Sequence, residues 1–150
     1  MEVSKRFGRF KIILSSLALC YMNTVYASTP SCQHLKGKWV NELGSTLIIS
    51  SVKGNGQLSG YFVSSEQAGG EKFVVMGWVN DASPQEGLDH LTAITFAVNW
   101  DEYGSLSSWA GGCAIKGGIP TLSMIWNLVL ANAQYEWDHM ISNSDSFRPK

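Results

Sequence analysis

The sequence predicts an all-β domain, specifically an eight-stranded antiparallel up-and-down β-barrel. Three observations carry this. Short apolar runs alternate with turn residues at intervals of roughly 10–15 residues from position 30 onward. β-Branched and aromatic residues fill the runs, while proline stays outside them. No stretch holds a helical period over the 11–18 residues that a helix needs. Eight short strands in one domain close most simply into a barrel, whose interior fits side chains or one small ligand. A β-sandwich is the alternative arrangement of the same strands.

The elements follow in order. KWVNEL is flanked by Gly37 and Gly44. TLIISSV runs into Lys53-Gly54-Asn55-Gly56, a hairpin turn. QLSGYFVSS closes at Gly69-Gly70, and EKFVVMGWVN at the loop holding Asp81, Pro84 and Gly87. HLTAITFAVNW ends at Asp101-Glu102-Tyr103-Gly104, LSSWAGGCAI at Gly117-Gly118, and TLSMIWNLVL near Asn132. The eighth strand is expected over Gln134–Ile141.

The first residues have a different character. Lys5, Arg6, Arg9 and Lys11 precede an apolar run from Ile12 to Met22, and Val25-Tyr26-Ala27 follows. This is the pattern of a secretory signal peptide. The run is too short for a spanning helix, which takes about 20 residues. Residues 1–27 are therefore read as the signal and 28–150 as the domain, which is secreted or periplasmic. The domain keeps seven basic and eleven acidic side chains and all six Trp. It has no basic patch, which disfavours a nucleic-acid partner. Cys20 leaves with the signal, and Cys32 and Cys113 remain, a pair that an oxidising compartment tends to join.

Enzyme chemistry finds little support. His34, His90 and His139 lack metal-ligand spacing, and neither HExxH nor GxSxG occurs. The Gly-rich turns precede no helix that could cradle a phosphate. The Trp residues say more. Trp100 ends one strand, and Trp109 and Trp126 lie in the next two. With a period of two, Ser107 shares a face with Trp109, and Leu128 with Trp126. An interior lined by indoles and small hydroxyls suits a small amphipathic ligand. It is also what a plain aromatic core looks like.

GKWVNELGS at 37–45 resembles the first strand and turn of the avidin–streptavidin family. The likeness continues in order through GQLSGYFVSS, FAVNW, SLSSWAGGC, MIWNLVL and DSF at 145–147. The resemblance implies a non-enzymatic barrel that binds biotin as a ligand, with no cofactor and no metal. Asn41 and Ser45 would donate to the ureido oxygen, and Ser64 and Asp145 would accept from the ureido N–H groups. Ser107 would meet the thioether sulfur. Trp100, Trp109 and Trp126 would box the rings, with Leu43 and Leu128 among the ligand-binding residues. Ser105 and the Ser65–Ala68 loop, Ala68 included, would face the carboxylate.

The same resemblance implies a Cys32–Cys113 bridge and a Trp137 lent to a neighbouring subunit's pocket. A homotetramer is then favoured over a dimer. Two positions depart from the family. Phe62 stands where a Tyr usually donates to the ureido oxygen, and Glu66 lies in the loop that would greet a carboxylate. A lipocalin-like carrier of another small hydrophobic ligand is the alternative, because GxW on a first strand also opens that family.

Overall fold

The computed structural model describes residues 31–66 and 69–150. The segment read as a signal peptide and Ala68 lie outside the described residues. Eight strands form one closed sheet: β1 Gly37–Asn41, β2 Thr46–Val52, β3 Gln57–Val63 and β4 Lys72–Asn80, then β5 Thr92–Asn99, β6 Ser105–Lys116, β7 Ile119–Leu130 and β8 Met140–Pro149. Every strand pairs antiparallel with its sequence neighbour, and β1 closes on β8 through Trp39–Asn41 and Phe147–Pro149. The expected up-and-down barrel is what the chain forms, and a sandwich is excluded.

The alternation in the sequence decides which side chains go in. On β5, Thr92, Ile94, Phe96 and Val98 are buried while the residues between them are exposed. On β3, Leu58 and Phe62 point inward and Tyr61 outward. The inward residues make one core running from Leu35 and Trp39 to Phe147. The Trp39 indole donates to the Leu35 carbonyl at 2.8 Å, so the buried N–H is satisfied. Gly77 on β4 allows a close strand approach, since a Cβ there would run into the Thr95 carbonyl oxygen of β5.

One element departs from expectation. The eighth strand is not Gln134–Ile141 but Met140–Pro149, and Glu136–His139 forms a 3-10 turn before it. Only Phe147 of β8 is fully buried, so the strand carries almost no apolar alternation.

The connections β1–β2, β3–β4, β5–β6 and β7–β8 lie at one end of the barrel, and the other three lie at the opposite end. Cys32 and Cys113 are bridged, with Cα atoms 5.6 Å apart across a sequence separation of 81. The bridge ties the segment before β1 to the half of β6 that leads into the β6–β7 turn. It therefore sits away from the first set of connections.

Candidate functional site

A cavity of about 470 Å³ opens at the end formed by the first set of connections. Of the sequence-predicted binding residues that are described, those on β1, β3, β5 to β8 and their ends line it, whereas Ser65 and Glu66 of the loop after β3 do not. β1 and its turn supply Asn41, Leu43 and Ser45, and β3 supplies Phe62 and, just past its end, Ser64. Trp100 follows β5, while Ser105, Ser107 and Trp109 project inward from β6. Trp126 and Leu128 come from β7, and Asp145 from β8. Asn41 and Asp145, 104 positions apart, thus meet because β1 and β8 are the neighbouring strands that close the barrel.

The β1–β2 turn is held by Asn41. Its Oδ1 accepts the backbone N–H groups of Leu43 at 3.2 Å and Ser45 at 2.8 Å. Gly44 adopts a φ of 83°, the left-handed conformation that favours glycine. With its oxygen committed to the turn, the Asn41 amide points its NH2 the other way, and Nδ2 donates to Asp145 Oδ2 at 2.8 Å. An NH2 has two protons, so one remains for a ligand acceptor. Asp145 likewise keeps lone pairs for a ligand donor. A donor and an acceptor are therefore fixed side by side in the cavity wall, the pattern that an N–H beside a carbonyl requires.

Ser107 is more constrained. Its Oγ accepts the indole N–H of Trp100 at 3.1 Å and that of Trp109 at 2.9 Å. Both lone pairs are then occupied, so toward a ligand the hydroxyl can only donate. A weak, soft acceptor such as a thioether sulfur fits such a donor. Trp126 Nε1 is buried and has no hydrogen-bond partner among the described residues.

The aromatic walls pack on one another. Phe62 sits 5.4 Å from the Trp100 ring and 5.6 Å from that of Trp109. Trp109 stacks on Phe96 at 5.4 Å and tilts against Trp126 at 5.6 Å. Such contacts fix ring orientation before any ligand arrives. Ser64 is tied to the start of β4: its N–H donates to the Glu71 carbonyl at 2.8 Å, and its Oγ accepts the Glu71 N–H at 2.9 Å.

Two lining residues escaped the sequence reading, Tyr103 and Leu130. Tyr103 lies in a 3-10 turn, Asp101–Tyr103, between β5 and β6. Its hydroxyl donates to both Glu71 carboxylate oxygens, at 2.9 and 2.8 Å, and its ring meets Phe73 at 6.1 Å. Leu130, two residues past Leu128, was within reach of the period-two argument. Tyr103 was not, because a turn has no such period. Trp137 does not line its own cavity. It is 75% exposed and stacks on Tyr135 with ring centroids 4.9 Å apart. Among the described residues, no group of three His, Cys, Asp or Glu side chains converges to hold a metal.

An eight-stranded barrel with an indole-walled cavity at one end and a few aimed polar groups defines a small-ligand-binding protein. The Avidin family model matches residues 29–150, and the chain belongs to the avidin family. Members of that family are non-enzymatic proteins that bind biotin as a ligand. The chain is 28% identical to avidin of Gallus gallus over 124 residues, covering 78% of this chain and 74% of that protein. It is 28% identical to avidin-related protein 1 of the same organism over 147 residues, 93% of this chain and 91% of the relative. The crystal structure of Xenavidin matches with a TM-score of 0.66 at 26% identity, covering 80% of this chain and 100% of that one. Apo shwanavidin matches with a TM-score of 0.62 at 29% identity, covering 77% and 100%.

Proposed function

We propose that this protein is exported, loses residues 1–27, and binds biotin with high affinity in the barrel cavity. The observation that carries the reading is the Asn41–Asp145 pair beside the saturated Ser107 acceptor. Biotin's ureido ring offers a carbonyl oxygen and two N–H groups, and its second ring offers a sulfur. The free Asn41 proton and Ser45 serve the oxygen, and Asp145 and Ser64 serve the N–H groups. Ser107 donates to the sulfur. Trp100, Trp109 and Trp126 cover the ring faces, and Leu43, Leu128 and Phe62 complete the apolar wall. Ser105 faces the carboxylate. No bond is made or broken, so affinity comes from groups already held in place.

Removal of the signal leaves Cys32 and Cys113 in an oxidising compartment, in keeping with the bridge. Titration calorimetry with biotin is the test: one site per chain with tight binding and a change in Trp fluorescence is expected. Absence of heat and of any fluorescence change at micromolar biotin would end the proposal. Intact mass of the exported protein checks the export step, with a chain starting at Ser28 expected and one starting at Met1 excluding it.

A further inference from the structure

The cavity mouth carries a charge pattern that the binding of free biotin does not call for. The four connections around it contain Glu42, Glu66, Glu71, Asp101, Glu102, Glu136 and Asp138, and neither Lys nor Arg. Lys72 follows the second of these connections directly, at the start of β4. Its Nζ lies 3.7 Å from the centre of the Tyr61 ring, on the outer face of the barrel. Among these acids, Glu71 is singled out by geometry. Its backbone is bonded twice to Ser64, and its carboxylate is clasped by the hydroxyl of Tyr103, a residue of the cavity wall.

The clasp decides what the mouth can offer a ligand. Tyr103 is a hydroxyl donor in the cavity wall, and its proton is already given to Glu71. The same hydrogen bond raises the phenol above its ordinary value, so it stays protonated. A ligand tail ending in a carboxylate therefore meets a committed donor with a fixed negative charge behind it. A tail whose carboxyl group has become an amide carries no charge to repel. It also brings an N–H of its own.

Taking the cavity to be a biotin site, as proposed above, we propose that its mouth selects biotin whose carboxyl group is masked as an amide. This is the form biotin takes when attached to an amine such as a lysine side chain. Glu71, held in place by Tyr103, is the residue that discriminates. The ligand class is then a biotinylated amine or peptide in preference to the free acid.

Three probes test this on the full mature protein: biotin, biotin amide, and biotin joined through an amide to ethylenediamine, which ends in an ammonium group. At about 10 mM salt, affinity is expected to rise in that order, by roughly three- to tenfold per unit of charge. At about 0.5 M salt the differences should shrink toward twofold, because the screening length falls to about 4 Å. In Glu71→Gln the acid-to-amide ratio at low salt should move toward one. Equal binding of acid and amide at low salt would overturn the inference, and so would a ratio that ignores salt or that Glu71→Gln leaves intact. If the variant fails to fold, the salt series on the unmodified protein decides alone. Failure of all three probes to bind would instead remove the biotin reading itself.

Discussion

Phe62 is the residue on which the strand register can be tested most sharply. It is buried, lines the cavity and lies two positions before Ser64, whereas Tyr61 faces outward beneath the Lys72 ammonium. Where family members carry Tyr at this place, its hydroxyl donates to the ureido oxygen. In the proposed biotin complex, Phe62 would lack that donor and leave the Asn41 amide and Ser45 to serve the oxygen. A buried acceptor short of one donor costs about 1–3 kcal/mol. That corresponds to roughly tenfold to hundredfold in affinity. Phe62→Tyr should therefore slow biotin release by about that factor, since affinity changes appear mostly in the off-rate. Tyr61→Phe should leave release unchanged. Stopped-flow displacement of biotin measures both. Unchanged or faster release in Phe62→Tyr, with faster release in Tyr61→Phe, would contradict the inward placement of residue 62 as a ligand contact.

At the scale of elements, legibility followed the strength of the alternation. β4 and β5 alternate buried and less buried residues most cleanly, and period two placed Ser107 with Trp109 and Leu128 with Trp126 on shared faces. β8 reads MISNSDSFRP and buries only Phe147 fully, so no hydrophobic pattern marks it; position 145 was placed through family resemblance alone. The Tyr103–Glu71 clasp joins a turn to a strand start 32 positions away, and nothing local in the sequence encodes that pairing. Cys32–Cys113 was accessible from cysteine counting and compartment.

The position of that bridge yields a prediction of its own. It fastens the segment before β1 to β6 at the end of the barrel away from the cavity. A loop of that length stabilises the fold by about 2–4 kcal/mol when closed. The double variant Cys32→Ala/Cys113→Ala should lose about that much in denaturant unfolding while keeping biotin affinity within about twofold. A large loss of affinity in a still-folded variant would show that the far end of the barrel is coupled to the site.

At the scale of the whole molecule, exposed apolar side chains of the described residues cluster in two places on the outer surface. Leu106, Val129 and Met140 lie in one row across β6, β7 and β8, all exposed, with Ile125 nearby on β7. Val74, Met76 and Trp78 are exposed along β4, nearly opposite in strand order. Contiguous apolar surface of this kind marks contact sites, and two distinct faces per subunit suit a dimer of dimers better than a single pair. Trp137 fits the same picture. It stands on the β7–β8 connection at the cavity end, three-quarters exposed, with Tyr135 as its only ring partner among the described residues. An exposed Trp in such a place is a typical interface anchor. In a homotetramer, which we propose for this chain, it would cover a neighbour's cavity and lengthen the residence of bound biotin. Light scattering of the mature protein should therefore give four chains, whereas a monomer would refute the assembly and a dimer would leave one apolar face uncovered. Trp137→Ala should weaken biotin binding by at least about thirtyfold, in line with a hot-spot loss of about 2 kcal/mol or more, with little change in the unfolding of the barrel. Undiminished affinity in a tetrameric Trp137→Ala would show that each cavity is complete within its own chain.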